Sequence, residues 1–452
     1  MDSKLSQLAV ARDPELMRGV FQRHLRPLGS QAYQIQECRV HRLHPHGDSH
    51  CILEYILHLA EPSTGRERRL WVSGSIYARG RTRQIFEKLQ RSDLGQEIPD
   101  TSSIFAPFSY IPDLEMLVQV FPCNRRLPAL PLLMAGPPRE LEPLLIARFG
   151  SGGWQAEAWN IEPVRYRAEL RATLRLTVGA QDAATNRTEE KRFYAKVYRN
   201  QEKGEQTYQV LRKLWDRASA GGVDFTVGRP IAYLKNFRVL LQEEATGSTL
   251  KDILLQGDQA IPAVRKTARA LASLHLVPEA ATPRCHRLQD EIATLERKGE
   301  ILRWACPHLG PQIEETISAI AAGLKEVPPA PTHGDLKLEH ILLDGDRLTL
   351  LDLDGVAGAD PILDVARVSA ELVAMSLRSP FPPDRARAIA RTFVGEYFAH
   401  VPEIWGTRLP LHYAGANLKM AVGFFRRQAP GLPGKIEALL KEVEESLGGR
   451  VW

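Results

Sequence analysis

Apolar residues recur along this chain at two spacings. In Arg167-Ala-Glu-Leu-Arg-Ala-Thr-Leu-Arg-Leu-Thr-Val178 and in Phe237-Arg-Val-Leu-Leu-Gln242 they alternate with polar ones. A period of two predicts strands with one buried face. In Thr207-Tyr-Gln-Val-Leu-Arg-Lys-Leu-Trp215 they return every three or four residues, which predicts an amphipathic helix. The second spacing dominates beyond residue 250. Val264–His275 is one such helix, segments 287–303 and 311–325 read the same way, and helices follow Ala366. The order is helix, strands, helix, strands, occurring twice, and then helices. Met134-Ala-Gly-Pro-Pro138 is a turn cluster that separates the two copies. Gly150-Ser-Gly-Gly153 follows a helical pattern rather than a strand, so it reads as a connecting loop and not as a phosphate loop.

The two copies align residue by residue. Pro107, Tyr110, Gln119 and Leu127 correspond to Pro230, Tyr233, Gln242 and Leu250 at a constant offset of 123 positions. Upstream, Tyr77 falls on Tyr198 and Leu89 on Leu214. Earlier still, Glu15, Leu16 and Arg23 match Glu140, Leu141 and Arg148. This register sets Ser75 opposite Lys196. A lysine on a buried strand is there for its charge, and the first copy lacks it. The first copy is therefore expected to be non-catalytic.

Composition narrows the class. At 452 residues the chain has material for two or three domains. It is 44% hydrophobic and 25% charged, which excludes disorder as the main state. The net charge of +5 is too mild for a dedicated nucleic-acid binder, and 7% aromatic residues supply little stacking surface. Five scattered cysteines, with no C-x-x-C pair, argue against a disulfide framework or a zinc site. The amino-terminal segment lacks the apolar core of a signal peptide, and no apolar run is long enough to span a membrane. A cytoplasmic location, with no membrane and no nucleic-acid partner, is expected.

The densest chemistry lies in Thr332-His-Gly-Asp-Leu-Lys-Leu-Glu-His-Ile-Leu-Leu343. It continues through Leu348-Thr-Leu-Leu-Asp-Leu-Asp-Gly355 and Gly358-Ala-Asp-Pro-Ile-Leu-Asp-Val-Ala366. Residues 140 to 452 resemble the aminoglycoside phosphotransferase and choline kinase group, which reads H-G-D-x-x-x-x-N, I-D-x-x and G-D-P-x-x-D-x-A. The resemblance implies a protein-kinase-like, two-lobed α+β fold, with an antiparallel-sheet N-lobe and a mainly helical C-lobe. Here an N-lobe-like α+β domain precedes it. The expected domains are 1–136 (degenerate repeat), 137–245 (kinase N-lobe) and 246–452 (helical C-lobe). The resemblance also implies ATP and Mg²⁺ as cofactors and a small-molecule hydroxyl as acceptor.

Phosphoryl transfer spreads charge through a loose transition state, so catalysis is mostly positioning and electrostatics. A carboxylate must orient the attacking hydroxyl and take its proton, and Asp335 is the candidate. A second must hold the magnesium ion. Asp352, 17 positions on at the end of an apolar strand, is placed for this by a hairpin turn at Asp344-Gly345-Asp346. Asp354 is either a second metal ligand or a turn cap. Lys337 is either a contact to the transferred group or a solvated loop lysine. His340 stands where the family usually has asparagine. It could orient Asp335, bind metal or cap the loop, and imidazole suits Mg²⁺ less well than oxygen does. Asp360 and Asp364 are expected to brace the loop around His333.

By the same resemblance Lys196 anchors the α/β-phosphates and pairs with Glu205, with Glu202 as the alternative. Backbone groups around Glu243, Glu244 and Ala245 bind adenine. The turn that would cover the phosphates lies near Arg167-Ala-Glu169 and lacks glycine. His275 is expected to pack or cap. No dense acidic cluster marks a polycationic acceptor, so an aminoglycoside is not favoured.

Three readings follow: a small-molecule kinase acting on a sugar, amino sugar or amino alcohol; a catalytically weak, kinase-like binding or regulatory protein; and a sugar kinase resembling maltokinases, which also carry an extra amino-terminal domain. The duplicated lobe would cap the acceptor cleft, dock on the true lobe, or form a homodimer.

Overall fold

In a computed structural model the described residues are all but 1–6, 30–31, 47–48, 79, 92–103, 258, 279–281, 283 and 450–452. The chain opens with α1 (Leu8–Ala11) and α2 (Pro14–His24), then β1 (Gln34–His46), β2 (His50–Ala60), β3 (Glu67–Tyr77), α3 (Arg81–Gln90), β4 (Phe108–Ile111) and β5 (Met116–Val120). Next come α4 (Ala129–Ala135), α5 (Leu141–Ile146), β6 (Trp154–Arg167), β7 (Arg171–Asp182), β8 (Thr188–Tyr198) and α6 (Gln201–Ala220). Short strands β9 (Thr226–Val227), β10 (Pro230–Leu234), β11 (Val239–Glu243) and β12 (Ser248–Thr249) lead into α7 (Leu250–Gln256), α8 (Ala260–His275), α9 (Leu288–Ala305) and α10 (Gly310–Gly323). The last stretch holds β13 (Ala330–Thr332), β14 (Ile341–Asp344), β15 (Arg347–Leu350), β16 (Ala357–Ala359), α11 (Ile362–Ala374), α12 (Pro383–Phe398), α13 (Leu409–Arg426) and α14 (Leu432–Leu447).

These elements form two compact units. The first runs to Gly204 and adds Ile231–Gln242 and Arg426–Gln428. The second holds Glu205–Pro230, Glu243–Phe425 and the residues from Ala429. The sequences expected to form the first domain and most of the second share unit one.

Unit one contains two five-stranded sheets, ordered β1-β2-β3-β5-β4 and β6-β7-β8-β11-β10. The order is the same: a three-strand meander, a helix (α3 or α6), then two strands with the later one inserted beside the meander. Both meanders end on a tyrosine, Tyr77 or Tyr198. In β7 the burial alternates strictly. Ala172, Leu174, Leu176, Val178 and Ala180 pack with Phe193, Val197 and Leu241 against Leu130 and Leu133 of α4 and Leu141 and Leu145 of α5. This is the face the alternating pattern predicts. Tyr166 stacks on Trp71 at 5.6 Å and meets Phe121 edge-on at 5.2 Å, which ties the two sheets together.

The β6–β7 turn is clamped. Glu169 holds a left-handed conformation (φ 60°) and is buried. Arg125 donates to it twice, Nε to Oε1 at 2.7 Å and Nη2 to Oε2 at 2.8 Å. Gln119 Nε2 donates to Oε1 at 3.1 Å and Ser75 Oγ at 3.4 Å. The Ala168 N–H donates to Glu54 Oε1 at 2.9 Å. Ser75, the counterpart of Lys196, thus serves to grip the second sheet's turn.

Unit two is mainly helical. α8 packs on α12, and α12 on α11, around Leu271, Leu274, Val368, Phe393 and Tyr397. A small sheet, β12-β14-β15-β9, and the pair β13-β16 carry the loops that follow. Among the described residues no helix is long and apolar enough to cross a membrane.

Removing one partner of a buried ion pair strands the other. Arg125→Met is expected to cost about 3–5 kcal/mol in urea unfolding. Adding Glu169→Gln should recover much of that loss. Equal stability of Arg125→Met and wild type would show that the clamp contributes nothing.

Candidate active site

The expected hairpin is present: Asp344 pairs with Arg347 around Gly345 (φ 55°), and β14 and β15 run antiparallel. It delivers the chain to Asp352, which sits in the left-handed region (φ 59°, ψ 51°) at the start of a single turn, Leu353–Gly355. That turn lies directly on the loop His333–Asp335. A Cβ on Gly334 (φ 77°) would stand 2.4 Å from the Gly355 carbonyl oxygen, and one on Gly355 would stand 2.8 Å from that of His333. Both positions therefore require glycine, Gly334 for its backbone angle as well.

Asp364 braces this loop as expected. Its oxygens accept the His333 N–H at 2.5 Å and the Gly334 N–H at 2.9 Å. His275 Nε2 lies 3.3 Å from the same carboxylate, and its Nδ1 lies 2.7 Å from the Tyr397 hydroxyl. The carboxylate can only accept, so Nε2 is the donor. His275 is thus a buried link from Tyr397 to the loop. His333 Nε2 donates to the Leu351 carbonyl at 2.8 Å, a structural role. Asp360 departs from expectation. It binds Arg408 in two places, at 2.7 and 3.1 Å, and His412 at 3.0 Å. The physical reason is charge: a guanidinium fork on the segment leading into α13 engages both oxygens of that carboxylate, one of which also accepts the Ile362 N–H at 3.0 Å.

Asp335 is held by cations. Lys337 Nζ lies 2.6 Å from Oδ2 and Arg367 Nη2 lies 3.9 Å from Oδ1. Burial alone would raise this carboxyl, but Lys337 and Arg367 outweigh it and hold it at about 2. Arg367 is also fixed by Glu371, at 2.9 Å. Sequence reading missed Arg367, although it lies one helical turn beyond Asp364 and so shares its face of α11.

His340 lies between the two loops. Its Nδ1 is 3.0 Å from the Asp335 carbonyl and its Nε2 is 3.7 Å from Asp352 Oδ2. Burial pushes the imidazole down to about 4, against the pull of Asp352, so it is neutral near pH 7. The carbonyl can only accept, which assigns the proton to Nδ1. Nε2 then presents a lone pair towards a carboxylate oxygen. Two acceptors facing each other fit a cation between them. Asp354 is buried in the same turn. Among the described residues no group of three carboxylate, imidazole or thiolate side chains could hold a metal ion. Further ligands would come from phosphate and water, as magnesium commonly accepts.

Asp335 opens onto a cavity of about 380 Å³, also lined by Arg284, His286, Glu291, Arg367 and Lys419. Its carboxylates are already engaged. Asp364 holds the loop, and Glu291 pairs with Lys419 at 2.6 Å and with His286 at 3.1 Å. Burial would raise Glu291, but Lys419 and His286 bring it to about 2.

The remaining expected site residues are placed as follows. Lys196 is half-buried on β8, on the face opposite the apolar core. Glu205 is half-buried on α6, and Glu202 is exposed. The Glu243 N–H donates to the Arg229 carbonyl at 2.9 Å, while Glu244 and Ala245 follow without regular secondary structure before Gly247.

The sequence profile of the phosphotransferase enzyme family matches residues 174–402. The chain therefore belongs to that family and is a phosphotransferase. Solved structures similar to it include an aminoglycoside phosphotransferase of the APH(2″) type bound to GDP and kanamycin (12% identity, 69% of this chain and 98% of that one, TM-score 0.43). Another is choline kinase from Cryptosporidium parvum (12%, 65% and 91%, TM-score 0.46). A third is macrolide 2′-phosphotransferase from Brachybacterium faecium (14%, 67% and 98%, TM-score 0.40). No curated protein matches the chain.

The Glu291 carboxyl is lowered from an ordinary 4.5, so its contribution to stability is complete above that pH and is lost as pH falls towards 2. Glu291→Gln should flatten the acid limb of melting temperature against pH across this window, read by circular dichroism. Parallel curves for variant and wild type would sink this assignment.

Proposed function

We propose that the chain transfers the terminal phosphoryl group of ATP, with Mg²⁺, to a hydroxyl of a small molecule: a sugar, an amino sugar or an amino alcohol. The observation that carries this reading is Asp335, fixed by Lys337 and Arg367 at the wall of a cavity large enough for such an acceptor. A carboxyl held at about 2 is a weak base. It suits orienting the hydroxyl and accepting its proton late, as a loose transition state requires.

In this reading Asp335 aligns the acceptor, and Lys337 neutralises charge beside the transferred group. Lys196, braced by Glu205, anchors the α/β-phosphates, and backbone at Glu243, Glu244 and Ala245 binds adenine. Asp352 and His340 hold the metal, with phosphate and water as its further ligands, and Asp354 caps the turn. When bound, that ion neutralises the phosphate charge. Residues 1–136 are a degenerate copy of the sheet lobe, 137–245 the nucleotide lobe and 246–452 the helical lobe. The matching strand orders support the duplication. Within the acceptor class, a molecule without several positive charges is favoured, because the cavity's carboxylates already have partners.

Asp335→Asn should lower the rate of transfer about 10²–10⁴-fold while nucleotide affinity stays near the wild-type value. Full turnover in that variant removes the assignment. His340→Asn exchanges a nitrogen ligand for oxygen, so the metal that best supports nucleotide binding should shift from Mn²⁺ towards Mg²⁺, measured by metal titration. An unchanged preference would exclude His340 as a ligand.

A further inference from the structure

The cavity beside Asp335 is walled by three strongly cationic side chains, Arg284, Arg367 and Lys419. Two of them are spent on carboxylates. Lys419 Nζ lies 2.6 and 2.8 Å from the two oxygens of Glu291, and Arg367 Nη2 lies 2.9 Å from Glu371. Arg284 differs. Its Nε donates to the amide oxygen of Gln206 at 2.8 Å, a neutral partner, and no described carboxylate pairs with its guanidinium. The main chain fixes where this residue stands. The Gly358 N–H donates to the Arg284 carbonyl at 2.7 Å, and the His286 N–H donates to the Gly358 carbonyl at 2.8 Å. Residues 284–286 thereby lie parallel along β16. β16 pairs in turn with β13, whose Thr332 leads directly into the loop of Asp335. Arg284 and Asp335 are thus carried by one small set of strands and open onto one cavity. The acids of that cavity have no charge left to offer. Glu291 is shared by Lys419 and His286, Asp364 accepts two N–H groups, and Asp335 meets Lys337 and Arg367. A cationic acceptor would have to displace one of these partners. An anionic one finds a guanidinium whose charge no side chain opposes.

We propose that the acceptor is an anion: a small hydroxy acid whose carboxylate is held by Arg284 while its hydroxyl meets Asp335. This rests on the kinase reading above and narrows it. A guanidinium fork matches the two oxygens of a carboxylate, and with Nε on Gln206 the two Nη groups remain to form it. Arg284 is half-buried, so the pair is worth more than one on the open surface. The cavity, at about 380 Å³, lies near the small end of the ~300–1,000 Å³ range of ligand pockets, which suits an acceptor of monosaccharide size. In the transfer the hydroxyl oxygen bonds to the terminal phosphorus of ATP, and the bond from that phosphorus to its bridging oxygen breaks. ADP keeps the electron pair, the hydroxyl proton passes to Asp335, and the carboxylate is unchanged. Arg284 also offsets the repulsion between that carboxylate and the phosphates of the nucleotide.

The test is calorimetric binding to the full chain of matched acids, alcohols and amines: gluconate, glucose and glucosamine; galacturonate, galactose and galactosamine; glycerate, glycerol and serinol. ATP with Mg²⁺ is titrated separately. At least one acid should bind more tightly than its neutral and amine counterparts. Arg284→Gln should weaken that acid about 10–100-fold, Arg284→Lys should weaken it less, and ATP affinity should match wild type in both. An alcohol or amine that binds as tightly as its acid overturns the proposal. So does an acid whose affinity survives Arg284→Gln, or a loss of ATP affinity in that variant, which would place Arg284 on the nucleotide. A chain that binds ATP and none of the acids overturns the anionic acceptor and leaves the kinase reading standing. A chain that binds an acid through Arg284 but not ATP keeps the anion site and overturns the kinase reading. Binding of neither overturns both. Should the variants unfold, Cys285 of the wild type decides. It is exposed and lines the cavity, while the other four cysteines are buried, so iodoacetamide labels it selectively. Protection of Cys285 by an acid, but not by its alcohol or amine, supports the proposal, and labelling at an undiminished rate with every acid overturns it.

Discussion

The contact between the backbones at Gly334 and Gly355 is the constraint on which the candidate active site depends. No side chain fits between them, so the loop that bears Asp335 and the turn that bears Asp352 lie against each other with nothing but main chain at the seam. Asp364 fixes one side of that seam through two N–H groups, and His275 and Tyr397 steady Asp364 from below. A left-handed residue at Asp352 fits this picture. Strained backbone persists where its surroundings over-determine it, and here the glycine seam and the hairpin do so.

Charge is distributed with the same economy. The carboxylates around the cavity each meet a cation or an N–H donor, so an ionised side chain can stay buried without heavy desolvation cost. His340 is buried and neutral, its proton fixed by a carbonyl and its lone pair facing Asp352. A polar environment that is almost fully paired leaves only a few atoms to meet a ligand, and those few define the chemistry.

Much of this was legible in the chain. Strand alternation in β7, the helix at Thr207–Trp215, the hairpin at Gly345 and the role of Asp364 follow from periodicity and motif spacing. What escaped is non-local. Asp360 looks equivalent to Asp364 until Arg408 and His412 arrive from 48 and 52 positions away. The bond from Arg125 to Glu169 spans 44 positions and has no periodic signature. Arg367 was within reach, since its spacing from Asp364 places it on the same helical face.

The clamp at Glu169 also bears on motion. A hairpin tip that is free at its end can lift by itself. This one cannot, because its carboxylate is seated where the first sheet's lysine would have been, and Tyr166 is wedged between aromatic rings of that sheet. Any displacement of the tip must carry both sheets with it, so motion there belongs to a body of some two hundred residues and not to a flap.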